Sequence, residues 1–164
     1  MEWQGPLILC GGDCMKDLSR PLRALVADDS LLTSAIVEYI LKDWGYAVET
    51  AGTGLAAFLT VQNQEFDLIV MDLEMPEMSG LEAATAIRRL KGERYRQLLI
   101  VGMIAHREPT YLEICLKHGM NALMFKPIQA GELLTELQNL EHSFAATLQA
   151  VEARVGGLDC PSGS

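Results

Sequence analysis

Residues 67–71 read DLIVM, one acid followed by four apolar side chains, and the run stops at Asp72. An apolar stretch this short and without alternation fits a strand buried on both faces. Strands are buried that way chiefly where helices cover each side of a parallel sheet. Leu98 to Ala105 (LLIVGMIA) repeats the pattern, and shorter runs stand at Arg23–Ala27, Tyr46–Ala51 and Ala122–Phe125. The intervening segments carry helical punctuation. Ser30 is placed to cap a helix over Leu31–Trp44, with Leu32, Ile36, Val37, Ile40 and Leu41 as its apolar face and Gly45 as its stop. Gly52-Thr53-Gly54 opens a helix through about Asn63, and a loop with Pro76 and Gly80 leads to another through about Leu90. Pro109–His118 is ended by Gly119, and a last helix starts near Gln129. Five strands, each followed by a helix, predict a doubly wound α/β fold around one parallel sheet.

Ligands of such sheets bind beyond the carboxyl ends of the strands. The residues expected there are Asp28 and Asp29, Asp72, Ile104 and Ala105, and Lys126. If the first and third strands are neighbours, three carboxylates share one cleft, and either protonation or a bound cation must relieve their repulsion. Oxygen ligands at an open edge suit Mg²⁺, which readily shares its shell with phosphate. A metal and a lysine around one carboxylate form a device for phosphoryl transfer, with Asp72 as the nucleophile and an acyl phosphate as the product. Each residue alone has a blander account. Asp-Asp-Ser after a strand is commonly a helix cap, Asp72 a polar strand end, and Lys126-Pro127 a loop. Their joint placement at strand ends favours the chemical reading. No second acid/base group or substrate-binding insertion supports an independent phosphohydrolase.

The segments LVADDS (25–30), DLIVMDLEMPEMSGLE (67–82) and GMNALMFKPI (119–128) resemble the receiver domains of response regulators and hybrid histidine kinases. The likeness covers roughly residues 22–140. The stretch CLKHGMNALMFKPI (115–128) is more similar to receivers attached to hybrid kinases than to free-standing transcriptional regulators. The resemblance implies a flavodoxin-like receiver fold with sheet order 2-1-3-4-5 and Asp72 as phosphoacceptor. It implies Asp29 as a direct Mg²⁺ ligand, Asp28 acting through water, and the backbone carbonyl of Glu74 completing the protein's share. It also implies a phosphoryl contact from Lys126, a cis peptide between Lys126 and Pro127, and a phosphohistidine donor on a histidine kinase or phosphotransfer domain. Apart from self-catalysed phosphorylation and dephosphorylation, such a domain is not counted as an enzyme.

Two positions depart from the family pattern. Ile104 stands where a Thr or Ser is usual, and Leu123 where an aromatic residue is usual. Isoleucine offers no hydrogen bond to a phosphoryl group. Ala105 keeps the small residue beside the site, and His106 follows it as a loop residue. These departures leave two readings: a phosphorylatable receiver with weakened switching, or a pseudo-receiver that works as an interaction or dimerisation module.

The formal net charge of −9 weighs against direct nucleic-acid binding, because that surface repels phosphates. No apolar run reaches membrane-spanning length, and residues 1–20 lack the pattern of a signal peptide. Cys10, Cys14, Cys115 and Cys160 form no CxxC pair, so reduced thiols in a cytoplasmic protein are expected. The expected division is an N-terminal linker over 1–20, a receiver over 21–141, and a helical extension and tail over 142–164. Helical spacing continues through Leu133, Leu137, Leu140, Phe144, Leu148, Val151 and Val155 to Gly156-Gly157. An apolar stripe past Phe144 suits a homodimer contact or a link to another domain.

Overall fold

The computed structural model describes residues 20–155, and the side chains of residues 20–143. Five strands form one sheet: β1 (Arg23–Ala27), β2 (Ala47–Ala51), β3 (Leu68–Asp72), β4 (Leu99–Ile104) and β5 (Ala122–Phe125). Their order is β2-β1-β3-β4-β5, and every pairing is parallel. The helices are α1 (Leu31–Asp43), α2 (Gly54–Asn63), α3 (Gly80–Arg89), α4 (Glu93–Gln97), α5 (Thr110–Lys117) and α6 (Ala130–Val155). Among the described residues, no helix is long and apolar enough to cross a membrane.

Two buried clusters sandwich the sheet. Leu25, Ala27, Ile69, Met71, Ile100 and Ile104 face the side packed by α2, α3 and Cys115 of α5. Ala24, Val26, Leu68, Val70, Val101 and Met103 face the side packed by α1 and by Leu133 and Leu137 of α6. Successive strand residues therefore serve opposite cores, which is why the central strands carry unbroken apolar runs.

The caps follow the sequence closely. The Ser30 side chain accepts from the Thr33 backbone N–H, and the Thr53 side chain accepts from that of Ala56. Ser79 and Glu82 form a reciprocal capping box at α3. Gly45 and Gly119, at φ of 88° and 87°, end α1 and α5 in the left-handed region.

Three features differ from expectation. Leu32 and Ile36, read as part of the apolar face of α1, are 73% and 43% exposed, whereas Ser34, Val37, Ile40 and Leu41 are buried. The helix is apolar around most of its girth, so periodicity alone does not choose its inner face. The short helix α4 lies where a plain connection is expected, held inward by buried Tyr95. Asp72 is the last residue of β3 rather than the first beyond it, paired in register with Met103.

Candidate functional site

β1 and β3 are neighbours, so the residues that close them meet at one end of the sheet. Asp28, Asp29 and Asp72 each offer a carboxylate oxygen, and these atoms lie within 4.8 Å of one another. Asp28 and Asp72 are buried, while Asp29 is exposed. β5 is separated from β3 by β4, yet Lys126 reaches across: its Nζ lies 2.9 Å from Asp72 Oδ2 and 2.7 Å from Asp28 Oδ2. The Lys126 backbone N–H donates to the carbonyl of Ile104 at 2.8 Å, and the Lys126–Pro127 peptide is cis.

Local hydrogen bonds orient both buried acids. The Ser30 backbone N–H donates to Asp28 Oδ1 at 2.8 Å, and the Glu74 backbone N–H donates to Asp72 Oδ1 at 3.1 Å. Asp72 Oδ2 accepts from Lys126. Asp28 Oδ2 is off the line of a hydrogen bond, and it is a buried oxygen that accepts none from the described residues. Its contact with Lys126 is therefore an ion pair with lone-pair capacity left over. Burial pushes the Asp72 carboxyl above its usual range; the Lys126 and Glu74 hydrogen bonds offset this only in part, and the charge of Asp28 adds to it. Burial opposes the charged form of Lys126, but its contacts with Asp28 and Asp72 outweigh that and raise its pKa. One ammonium thus serves two buried carboxylates, with a third carboxylate at the rim. The cluster is anion-rich, and hard oxygen donors with an unfilled buried lone pair fit a small divalent cation.

Gly80 supports this end of the sheet from behind. A Cβ there would stand 2.2 Å from the Asp72 carbonyl oxygen, closer than any side chain could be tolerated. The same test at Gly54 gives 2.1 Å to the Met78 carbonyl oxygen, so α2 packs backbone-to-backbone on the loop between β3 and α3. The sequence places Gly80 at a loop end but does not reveal this contact. Ile104 is 1% exposed within the core, and Leu123 is half-buried against the same cluster. Ala105 and His106 are exposed beside the cleft.

Residues 24–138 match the response regulator receiver domain family. The sensor protein GacS of Pseudomonas syringae pv. syringae is 37% identical over 116 residues, covering 70% of this chain but only 13% of that protein. The chemotaxis response regulator CheY4 of Vibrio cholerae superposes with a TM-score of 0.68 at 30% identity, over 74% of this chain and 99% of the other. The receiver domain of the Pseudomonas aeruginosa sensor histidine kinase PA1611 superposes with a TM-score of 0.66 at 28% identity, over 75% and 99%. That structure has a magnesium ion coordinated in its active-site cleft. The chain belongs to the response regulator receiver domain family, and it is most like the receivers of hybrid histidine kinases.

Proposed function

We propose that this receiver accepts a phosphoryl group on Asp72 in a Mg²⁺-dependent phosphorelay. The observation that carries the reading is the bridging of Asp28 and Asp72 by Lys126, beside a third carboxylate at one strand-end cleft. An Asp72 carboxylate oxygen attacks the phosphorus of a phosphohistidine on a kinase or phosphotransfer domain. The P–N bond breaks, the imidazole nitrogen keeps its electron pair, and an acyl phosphate forms on Asp72. Asp28, Asp29, Asp72 and the backbone carbonyl of Glu74 would hold the ion. When bound, Mg²⁺ supplies positive charge that stabilises phosphoryl oxygens as the transfer proceeds. Lys126, already at the Asp72 carboxylate, turns its ammonium onto the phosphoryl group. Ala105 leaves room beside it, and hydrolysis of the acyl phosphate resets Asp72.

The apolar face of α1 supports a helical partner. Leu31, Leu32, Ile36 and Tyr39 are exposed on a helix that starts two residues after Asp29. A phosphohistidine presented from a partner's helix docks there within reach of Asp72. Residues 21–141 form the receiver unit, working in the cytoplasm and without nucleic acid. In the helical extension and tail over 142–164, the helix serves as a homodimer contact; its apolar stripe from Phe144 lies beyond the described side chains, and residues 156–164 lie outside the described residues.

Ile104 and Leu123 blunt the conventional switch. A missing hydrogen bond to a charged phosphoryl group removes on the order of 1.5–3 kcal/mol of coupling between the cleft and the surface. The packing of Ile104 in the core favours a second reading, a phosphorylation-independent interaction module. Intact-protein mass after incubation with Mg²⁺ and acetyl phosphate separates the two. A gain of about 80 Da that disappears in Asp72→Asn is the expected result. An unchanged mass, with beryllofluoride also failing to bind, favours the interaction module.

A further inference from the structure

α5 is weakly secured by its own apolar contacts. Cys115 is its only buried residue and Tyr111 is half-buried against the same core, while Leu112, Ile114 and Leu116 face outward. Its first residue follows Pro109, which provides no side-chain cap. The far end is different. Arg88 of α3 donates from Nε to the Gly119 carbonyl at 2.8 Å, from Nη2 to Asn121 Oδ1 at 2.9 Å, and from Nη1 to the Tyr95 carbonyl. Asn121 Oδ1 also accepts from the Ile100 backbone N–H at 2.8 Å, so the guanidinium reaches β4 through one shared oxygen. Gly119 fits the arrangement closely, because a Cβ there would stand 2.5 Å from Arg88 Cγ.

One helical turn earlier, Thr85 Oγ1 lies 2.7 Å from His118 Nδ1 and 2.9 Å from the Leu81 carbonyl. A hydroxyl has one proton, and a carbonyl can only accept, so Thr85 donates to Leu81. His118 Nδ1 must then carry hydrogen and donate to Thr85.

We propose that Arg88 and the Thr85–His118 bond form a polar latch that fixes the C-terminal end of α5 onto α3. The latch adds polar ties to the apolar packing that Cys115 shares with Ile104 and Leu123, and it does not touch the acidic cleft. Opening it frees α5 as a local unit while the sheet stays intact.

Amide hydrogen exchange on the whole chain tests this. In Arg88→Met, which keeps the apolar stem and removes every donor, residues 110–119 exchange about ten-fold faster or more. Exchange in β1 and β3 stays as in the parent protein. Thr85→Val, which removes the oxygen that His118 binds, gives a smaller acceleration over the same residues, and it carries the test alone if Arg88→Met does not fold. Unchanged exchange over 110–119 in Thr85→Val and any folded Arg88→Met overturns the latch. Acceleration shared equally by β1 and β3 also overturns it, because Arg88 would then support the whole domain and not one helix.

Discussion

Lys126 is the residue on which the cleft's charge balance turns. It stands between one fully buried carboxylate and one nearly so. Replacing it with Met leaves two buried acids without a counter-charge, a loss of about 3 kcal/mol. Urea unfolding of Lys126→Met at constant m checks this, and a stability within 1 kcal/mol of the parent, roughly the worth of an exposed pair, contradicts it. Tyr46 makes a second prediction at this scale. Burial, followed by the negative charges of Glu141 and Asp67, drives its phenol above the ordinary value of 10.0. A folded-state pKa raised in this way contributes stability that is complete below pH 10 and lost as pH rises beyond it. Tyr46→Phe therefore flattens the fall in stability above pH 10, as read by unfolding at a series of alkaline pH values. All three acids of the cleft and its lysine were legible in the sequence, since each stands at or just past the end of an apolar run. The lysine's ion pair with Asp28 was not legible, because the resemblance casts Asp28 as a partner of water and metal.

Among the elements, the loop between β3 and α3 holds the clearest strain. Glu77 sits at φ 67°, in the left-handed region, with its side chain exposed. Glu77→Gly removes the Cβ conflict at no cost in packing. Set against the extra freedom it gives the unfolded chain, the exchange stabilises by about 0.5–1 kcal/mol, measurable as a rise in melting temperature. Gly80→Ala goes the other way. The close neighbour is the backbone carbonyl of Asp72, which cannot move aside as a flexible side chain would, so overpacking costs about 2 kcal/mol and, on the proposed reading, weakens Mg²⁺ binding. Strands and caps were readable because each rests on local chemistry: a short unbroken apolar run, a hydroxyl, a glycine. The inner face of α1 was not, because exposed Leu32 and Ile36 are as apolar as buried Val37 and Ile40. Segment 93–97 was missed since ERYRQ has one inward residue, Tyr95, and too few turns to show a period.

At the scale of the molecule, the order β2-β1-β3-β4-β5 gathers the cleft from three strands far apart in the chain. Removal of residues 144–164 should leave thermal stability unchanged, because Leu133 and Leu137 already complete the core beside α1. Light scattering of the same truncated chain should show a monomer if the helical extension carries the homodimer contact. Lys126 has a further consequence of its own. It directly follows β5, so a copy cut before that strand holds its acids together without the ammonium that pairs them. On the proposed reading such a copy takes no phosphate from the relay, and falls silent instead of sending a false message.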